Sequence, residues 1–383
     1  MKKLLVAVLA FALFAPAFAV ENVQISGDVQ VVGIALEGQG VDLVGGAIPD
    51  FRGATHRTLL GFGADLVEDV QAKLTFAHQG LWGDGMQRGE NLQKFWTKVE
   101  IAEAYVKVSN VFDALEVKVG RQFYGDVNSP VMYFGPDYDS AIANTYTSLD
   151  GVTARYNGEN LTLTAAYFSL DNTSVGNAFY ADMFGLDLAY RFSESFATSA
   201  YVYDLRARGE DHIGIWGVKP NFDYEHFKLA VEYARNYGQH EKGWLAKADL
   251  ALPIGTDETQ VTPRVTYVKS EKGFEAYGNF SPKYAGLFYK SIYVGVFIGE
   301  GYDWELLNAG LSMKFADLEK WDFCLDFYTM DLEKHWNGNV WEAKVVYNLN
   351  QYVAFNATGA VLTNKKHFTA SPTALGFGMN VKF

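Results

Sequence analysis

The feature that most constrains this chain is a two-residue alternation of apolar and polar side chains that recurs almost to the C-terminus. In the last eleven residues, TALGFGMNVKF, the apolar positions are Leu375, Phe377, Met379, Val381 and Phe383. A β-strand directs alternate side chains to opposite faces, so this segment has one apolar face and one small or polar face. A closed barrel in a bilayer suits both faces, because lipid lies outside it and a polar lumen inside.

Charged residues on the second face favour a barrel over a soluble sandwich. In segments 227–233 and 341–347, apolar residues alternate with Lys228, Glu232 and Lys344, among others. A sandwich core would bury these charges without partners, which is costly, whereas an aqueous lumen solvates them. We therefore expect an all-β fold, a transmembrane antiparallel β-barrel.

The connections between the alternating segments come in two sizes. The short ones are 67–69, 157–160, 191–196, 316–320 and 348–351, and the long ones are 37–54, 81–96, 125–149, 171–182, 270–286 and 363–372. Short turns at the periplasmic end and long outer loops are typical of outer-membrane barrels. At roughly 20 residues per strand and connection, the chain predicts about 16–18 strands.

The middle of the chain interrupts the alternating pattern. The alternating segments that can be marked number about 19, although bacterial barrels have even strand numbers. Prolines, which interrupt strand pairing, are concentrated in region 211–286; they are Pro220, Pro253, Pro263 and Pro282. We expect one strand assignment to be wrong there.

The N-terminus has the pattern of an export signal. Lys2 and Lys3 precede an apolar stretch over residues 4–15 and an A-x-A site at residues 17–19. Such a stretch is too short to span a membrane as a helix. We expect residues 1–19 to be removed and residues 20–383 to form one barrel domain in the cell outer membrane, since a barrel must close on itself to satisfy its backbone.

The amino-acid composition limits the kinds of partner and of covalent cross-link that we expect. The formal net charge of −13 argues against a nucleic-acid partner. Cys324 is the single cysteine, so no intrachain disulfide can form. The expected partners are outer-membrane lipid, ions and small hydrophilic solutes.

The longest connection, residues 125–149, would be the third outer loop. It contains Asp126, Asp137 and Asp139 and no basic residue. If it folds into the lumen, it narrows the channel, and its carboxylates favour cations. The alternative is an outer loop whose acidic residues only keep it solvated.

Neighbouring segments supply the other candidate lumen residues, which are Glu103, Lys107, Glu116, Lys118, Arg121 and Arg155. Arg155 alternates with apolar neighbours and is expected to face inward. Arg121 shares its spacing with Val119, which would point it at lipid. Either it lies above the apolar band or a bulge at Gly120 turns it inward, and we expect the inward placement.

Signals for catalysis, metals or cofactors are weak. The seven histidines lack metal-ligand spacing, and His226 and His240, although beside acidic residues, are expected in solvated turns or loops. Asp137 and Asp139 are not part of a calcium-loop pattern. We expect no enzyme activity, no cofactor and no metal.

The run AEAYVKV (102–108), followed by LEVKVGRQ (Leu115–Gln122), a long loop and DGV (150–152), resembles bacterial outer-membrane porins. The resemblance is strongest to homotrimeric general porins, whose second hairpin is similar to residues 56–76. The GRQ element is also similar to one in alginate-export-type barrels. The porin resemblance implies passive diffusion of small hydrophilic solutes and a third loop folded into the pore; it implies a homotrimer without establishing one.

Together these observations predict a porin with a mild cation preference. The runner-up is a substrate-specific outer-membrane channel of the alginate-export type. A barrel enzyme and a secreted β-rich binding protein are further alternatives from other classes.

Overall fold

The computed structural model describes residues 21–37, 51–82, 99–136, 147–169, 181–207, 212–238, 242–256, 259–278, 303–332, 336–363 and 373–383. The expected export signal, residues 1–19, lies outside these ranges. Ala316–Leu318 forms a short 3₁₀ helix. Within the described ranges, no helix is long and apolar enough to cross a membrane.

Eighteen long strands form one sheet. They are β1 (Glu21–Glu37), β2 (Phe51–Val67), β3 (Val70–Trp82), β4 (Glu100–Val111), β5 (Leu115–Gln122), β6 (Leu149–Asn157), β7 (Leu161–Ser169), β8 (Ala181–Arg191), β9 (Phe196–Ala207), β10 (Ile213–Tyr224), β11 (Phe227–Gly238), β12 (Trp244–Ala251), β13 (Thr259–Glu271), β14 (Trp304–Phe315), β15 (Trp321–Leu332), β16 (Trp336–Asn348), β17 (Val353–Leu362) and β18 (Thr373–Lys382).

The sheet closes into a barrel. Each long strand pairs antiparallel with its neighbours in sequence, and β1 pairs with β18 over Asp28↔Lys382 to Glu37↔Thr373. At the seam, the amides of Gly27 and Phe383 donate to each other's carbonyl oxygens at 2.7 and 3.0 Å. The predicted antiparallel barrel is confirmed, with a strand number at the upper end of the expected range.

The two ends of the barrel differ as the connection lengths predicted. Short turns such as those after β2, β8 and β16 lie at the end that also holds both described termini, which we call the turn end. The long connections, including the one between β5 and β6, leave from the opposite end, which we call the loop end.

Two of the four prolines of the middle region lie within strands, whereas Pro253 follows the end of β12 and Pro282 lies outside the described residues. Pro220 lies within β10, and pairing with β11 steps from Val218↔Tyr233 to Asn221↔Ala230 around it. Pro263 lies within β13 opposite Leu311. The register is the same on both sides of each proline, so the strands continue where sequence alone suggested interruptions.

The outward face is apolar. Leu186, Trp341 and Phe377 point outward and expose 44%, 51% and 64% of their surface. A closed barrel satisfies its backbone hydrogen bonds internally, and such an exposed apolar surface is stable when lipid covers it. The barrel therefore belongs in a membrane.

The inward face changes character along the barrel axis. Near the loop end it carries buried apolar side chains, among them Met183, Ile215, Leu245, Leu306 and Val340. Nearer the turn end, the same strands carry inward polar groups, which are Asp187, Lys219, Lys247, Asn308 and Glu342. The lumen therefore has an apolar layer above a charged layer.

Candidate channel interior

The connection after β5 folds into the barrel. Its residues Tyr124–Gly125 and Met132–Phe134 pair antiparallel with each other, and Tyr277–Gly278, which follow β13, add a parallel pairing to Met132 and Tyr133. The amide of Tyr277 donates to the carbonyl oxygen of Val131 at 2.8 Å. We call residues 124–134 the inserted segment.

Local residues explain the shape of the inserted segment. Gly125 has φ of 98°, and a Cβ there would meet the Met132 carbonyl oxygen at 2.5 Å, so a larger residue would be strained. The Asp126 carboxylate accepts from the Asn128 amide at 2.8 Å, and the Ser129 hydroxyl accepts from the Val131 amide at 3.1 Å. These side chain–backbone bonds stabilise the turn before the second short strand.

Three polar contacts join the inserted segment to the inner surface of β10–β12. Lys219 Nζ lies 2.7 Å from the Asp126 carboxylate. The Ser129 hydroxyl donates to Glu232 Oε1 at 2.6 Å, and Lys247 Nζ donates to the Asn128 carbonyl oxygen at 2.6 Å. We call the inner face of β8–β12, from Asp187 to Lys247, the docking wall.

Tyrosine hydroxyls also donate to two carboxylates of the docking wall. Tyr124 of the inserted segment and Tyr203 both donate to Asp187, the latter at 2.5 Å. Tyr201 donates to Glu232 at 2.7 Å. Burial and the neighbouring Asp187 raise the pKa of Tyr124, so this phenol stays protonated and keeps its donor role.

The negative charge of Asp126 is neutralised by the neighbouring ammonium group of Lys219. Burial by itself would raise the pKa of Asp126, but the ammonium of Lys219 and the Asn128 amide lower it below its usual value. Asp126 is therefore an ionised anchor whose negative charge is paired. It does not add an unbalanced charge to the lumen.

Apolar packing fixes the second half of the inserted segment. Val131, Met132 and Phe134 are buried in one cluster with inward side chains of the loop-end layer and with Phe274 and Tyr277. Burying side chains of this size stabilises the packing by about 1.5–3 kcal/mol each. The Tyr277 hydroxyl donates to the Ile213 carbonyl oxygen at 2.6 Å, which joins the second loop to the docking wall.

We call the inner face of β3–β6, which β7 separates from the docking wall, the open wall. Its charged residues pair mainly with one another across neighbouring strands: Lys73 of β3 with Glu103 of β4 at 2.8 Å, and Lys107 of β4 with Glu116 of β5 at 3.5 Å. Lys118 Nζ lies 4.7 Å from the centre of the Tyr105 ring.

Arg155 is an exposed residue of the open wall. It lies on the same face of β6 as Thr153, whose hydroxyl donates to Gln122 at 3.1 Å. Counted over the described residues of β3–β6, this face carries four cations, Lys73, Lys107, Lys118 and Arg155, and three carboxylates, Glu100, Glu103 and Glu116.

Arg121 differs from the expected inward placement. It is directly opposite Asp150 in the β5–β6 register, on the face that carries the exposed Val119. Its Nε and Nη2 donate to the two Asp150 oxygens at 2.7 and 2.6 Å. Gly120 has φ of 129° but does not invert the face, because the outward Arg121–Asp150 pair stabilises this orientation.

The residues predicted from the sequence and the residues that hold the inserted segment overlap only in part. Asp137 and Asp139 lie outside the described residues. Lys219, Lys247 and Asp187, which hold the inserted segment, were absent from the sequence-derived set. The two-residue alternation predicts that they face inward. Nothing local in the sequence indicates that Asp126, 93 residues earlier in the chain, would contact Lys219.

Comparison with known proteins gives the fold. No protein-family model and no curated protein matches the chain. Among solved structures it is similar to Pseudomonas aeruginosa OccK11 (OpdR), with a TM-score of 0.64, 10% identity and coverage of 95% of this chain and 96% of that one. It is also similar to Acinetobacter baumannii OccAB1, with a TM-score of 0.62, 11% identity and coverage of 95% of this chain and 97% of that one. A third similar structure is a BenF-like porin from Pseudomonas fluorescens Pf-5, with a TM-score of 0.61, 11% identity and coverage of 95% of this chain and 99% of that one.

These likenesses cover nearly the whole of each chain, so they concern the complete barrel and not a shared hairpin. At such low identity they establish the fold alone. The apolar outward face and the closed strand order agree with that fold. The chain thus has the fold of a bacterial outer-membrane porin and belongs in the outer membrane.

Proposed function

We propose that this protein is an outer-membrane channel through which ions and small hydrophilic solutes diffuse passively. The observation that carries the proposal is the charged inner surface, because inward Lys107, Glu116, Lys118 and Arg155 keep partial or full exposure inside a closed barrel. Charges on this face need water, and a water-filled lumen provides it.

In this proposal, residues 125–149 narrow the channel. The inserted segment is fixed to the docking wall, so the path for solutes lies between this segment and the open wall. Passage there brings a solute beside Lys107, Lys118 and Arg155. Charged side chains at a constriction set ion preference.

Planar-bilayer recording tests the channel proposal. Purified protein should give stable current steps that are ohmic, that is, linear with voltage. Absence of steps in protein that is folded and inserted would contradict the proposal. The secreted binding protein would instead appear in a soluble fraction without detergent.

A mild cation preference is part of the proposal and rests on Asp137 and Asp139. Asp126 cannot supply it, because Lys219 compensates its charge. Replacing both Asp137 and Asp139 by Asn should move the zero-current potential in a salt gradient toward anion preference. An unchanged potential would place this part of the loop away from the ion path.

A substrate-specific channel of the alginate-export type is the second candidate. The surplus of cations on the open wall favours it, because ammonium and guanidinium groups bind carboxylates. An acidic oligosaccharide should then block the ionic current in a saturable way. A current that is indifferent to the oligosaccharide would favour the general channel.

A homotrimer, implied by the porin resemblance, is the assembly we propose to test by sedimentation of detergent-purified protein. A mass of three chains would support it. A mass of one chain would leave the channel proposal intact, since the barrel closes within a single chain.

A further inference from the structure

Phe112, in the turn between β4 and β5, is the most exposed large apolar side chain of the described residues. It exposes 91% of its surface, whereas every other exposed apolar side chain of this size class, including those of the outward wall, exposes 66% or less. Its ring contacts no aromatic ring of the described residues, whereas Phe192, Phe196 and Phe222 at the same end stack with ring centres 5.1 and 4.4 Å apart. The Phe112 ring therefore projects from the turn instead of lying on the wall.

The backbone at Phe112 has a left-handed conformation that bulky residues rarely adopt. Its φ is 52°, and the next residue, Asp113, has φ of 69°. Glycine or asparagine takes this conformation at a lower cost, and these are the usual residues of tight turns between strands. Because the exposed ring gives little packing in return, the fold alone does not account for a phenylalanine at this position.

The neighbouring turns hold this turn in place. The Asp69 carbonyl oxygen accepts from the Ser109 amide at 2.8 Å, and the Asp69 carboxylate accepts from the Asn110 side chain at 2.6 Å. On the other side, the Asn157 amide donates to the Ala114 carbonyl oxygen at 3.3 Å. The phenylalanine ring is therefore presented on a fixed base, which lowers the entropy cost of binding a partner.

The three turns that include and flank Phe112, residues 67–70, 109–114 and 157–160, carry only negative charge. They contain no lysine or arginine and four carboxylates, which are Glu68, Asp69, Asp113 and Glu159. Carboxylates repel lipid phosphates, so this charge disfavours burial of the ring in a layer of headgroups. The same charge attracts a basic protein surface and steers its approach.

We propose that Phe112 with Glu68, Asp113 and Glu159, which we call the turn-end anchor, binds a periplasmic protein that offers an apolar pocket rimmed by lysine or arginine. Short turns face the periplasm in outer-membrane barrels, so the partner approaches from that side. An aromatic side chain that fills a pocket supplies binding energy, and the surrounding charges supply specificity. This inference concerns a partner and does not rest on the channel proposal.

The variant Phe112→Asn separates a role in binding from a role in the fold. Asparagine tolerates the left-handed backbone, so the variant barrel should unfold at the same temperature as the native barrel or at a higher one. An unfolding temperature that falls by several degrees would show that the ring serves the fold, and the proposal would be overturned.

Photo-cross-linking in living cells tests for the partner. The probe p-benzoylphenylalanine at position 112 should form an adduct with one periplasmic protein. The yield should fall several-fold when the barrel also carries Glu68→Gln, Asp113→Asn and Glu159→Gln, because the basic rim then loses its attraction. The control is the same probe at position 192, in the aromatic stack of the wall, which should not give this adduct. Adducts with lipid alone, the same adduct from both positions, or a yield that does not depend on the carboxylates would overturn the proposal.

A binding measurement with the native barrel completes the test. The captured protein, once purified, should bind the native barrel in detergent and bind it more weakly as salt is raised. It should bind the Phe112→Asn barrel about tenfold more weakly. Binding that is unaffected by salt or by Phe112→Asn would overturn the proposal. None of these measurements uses the channel current, so the outcome for the partner is independent of the outcome for the channel.

Discussion

The docking wall and the open wall have the same two-residue pattern but different physical roles. On the docking wall, Lys219, Glu232 and Lys247 contact the inserted segment, and the last two are almost fully buried. On the open wall, Lys107 and Glu116 remain about a quarter exposed and pair with each other. The difference is produced by a distant loop that lies over one wall and leaves the other beside water.

This comparison shows what a lumen charge does in such a barrel. A buried charge that holds a loop mainly affects the position of that loop, since removing one partner leaves the other uncompensated. A half-exposed charge costs little to remove, since solvent screens its pair, but its field acts on passing ions. The two walls should therefore respond to different measurements.

The largest effect on selectivity is expected from the open wall. Replacing Lys107 and Lys118 by Gln removes two positive charges beside the proposed ion path, and the cation-to-anion permeability ratio should rise about twofold or more. Thermal stability should change little, because these residues are partly solvated. If selectivity were unchanged while stability fell, the open wall would be a structural element and the comparison would fail.

A smaller effect is expected from the docking wall, and on a different quantity. Lys219→Met removes the cation opposite Asp126 and weakens docking by about 1 kcal/mol, since the Asp126 side chain is 44% exposed and can be hydrated. Spontaneous current fluctuations should become about fivefold more frequent. Lys228→Met is the matched control, because the Lys228–Asp223 pair does not touch the inserted segment. Equal fluctuation in both variants would contradict the docking role.

The smallest effect is a pH response confined to acid. The pKa of Asp126 is lowered in the folded protein, so its contribution to docking is fully present above the usual aspartate pKa of about 4 and is lost as pH falls through the lowered value. Current fluctuations should stay constant from neutral pH down to about pH 4 and increase below it. Asp126→Asn should show frequent fluctuations throughout. If the current fluctuations of the native protein already increased near pH 6, a titratable group other than Asp126 would be responsible.

The sequence predicted the barrel because alternation is a local property of each strand. The hairpin of β2 and β3 was predicted with its turn at 67–69, and the structure joins the two strands between Val67 and Val70. The strand number was harder to predict because prolines suggested breaks, whereas the strands continue through Pro220 and Pro263 without a change of register. A local pattern does not show whether two strands continue their pairing past a proline.

The interior was less predictable than the wall. The pairing of Tyr277–Gly278 with the inserted segment involves only two residue pairs and joins distant parts of the chain, so it has no sequence periodicity. The orientation of Arg121 depended on Asp150, a residue 29 positions later. Contacts between loop and wall are set by the closed barrel, which exists only once all strands have paired.

The central claim is that the inserted segment occupies part of a water-filled lumen. The most direct test is single-channel recording of the native protein beside a variant in which residues 126–134 are replaced by a short Gly–Ser link. The native barrel should give stable ohmic steps, and the variant should give steps severalfold larger, because the link leaves the docking wall uncovered. Steps of equal size, or no steps from either folded protein, would contradict the account.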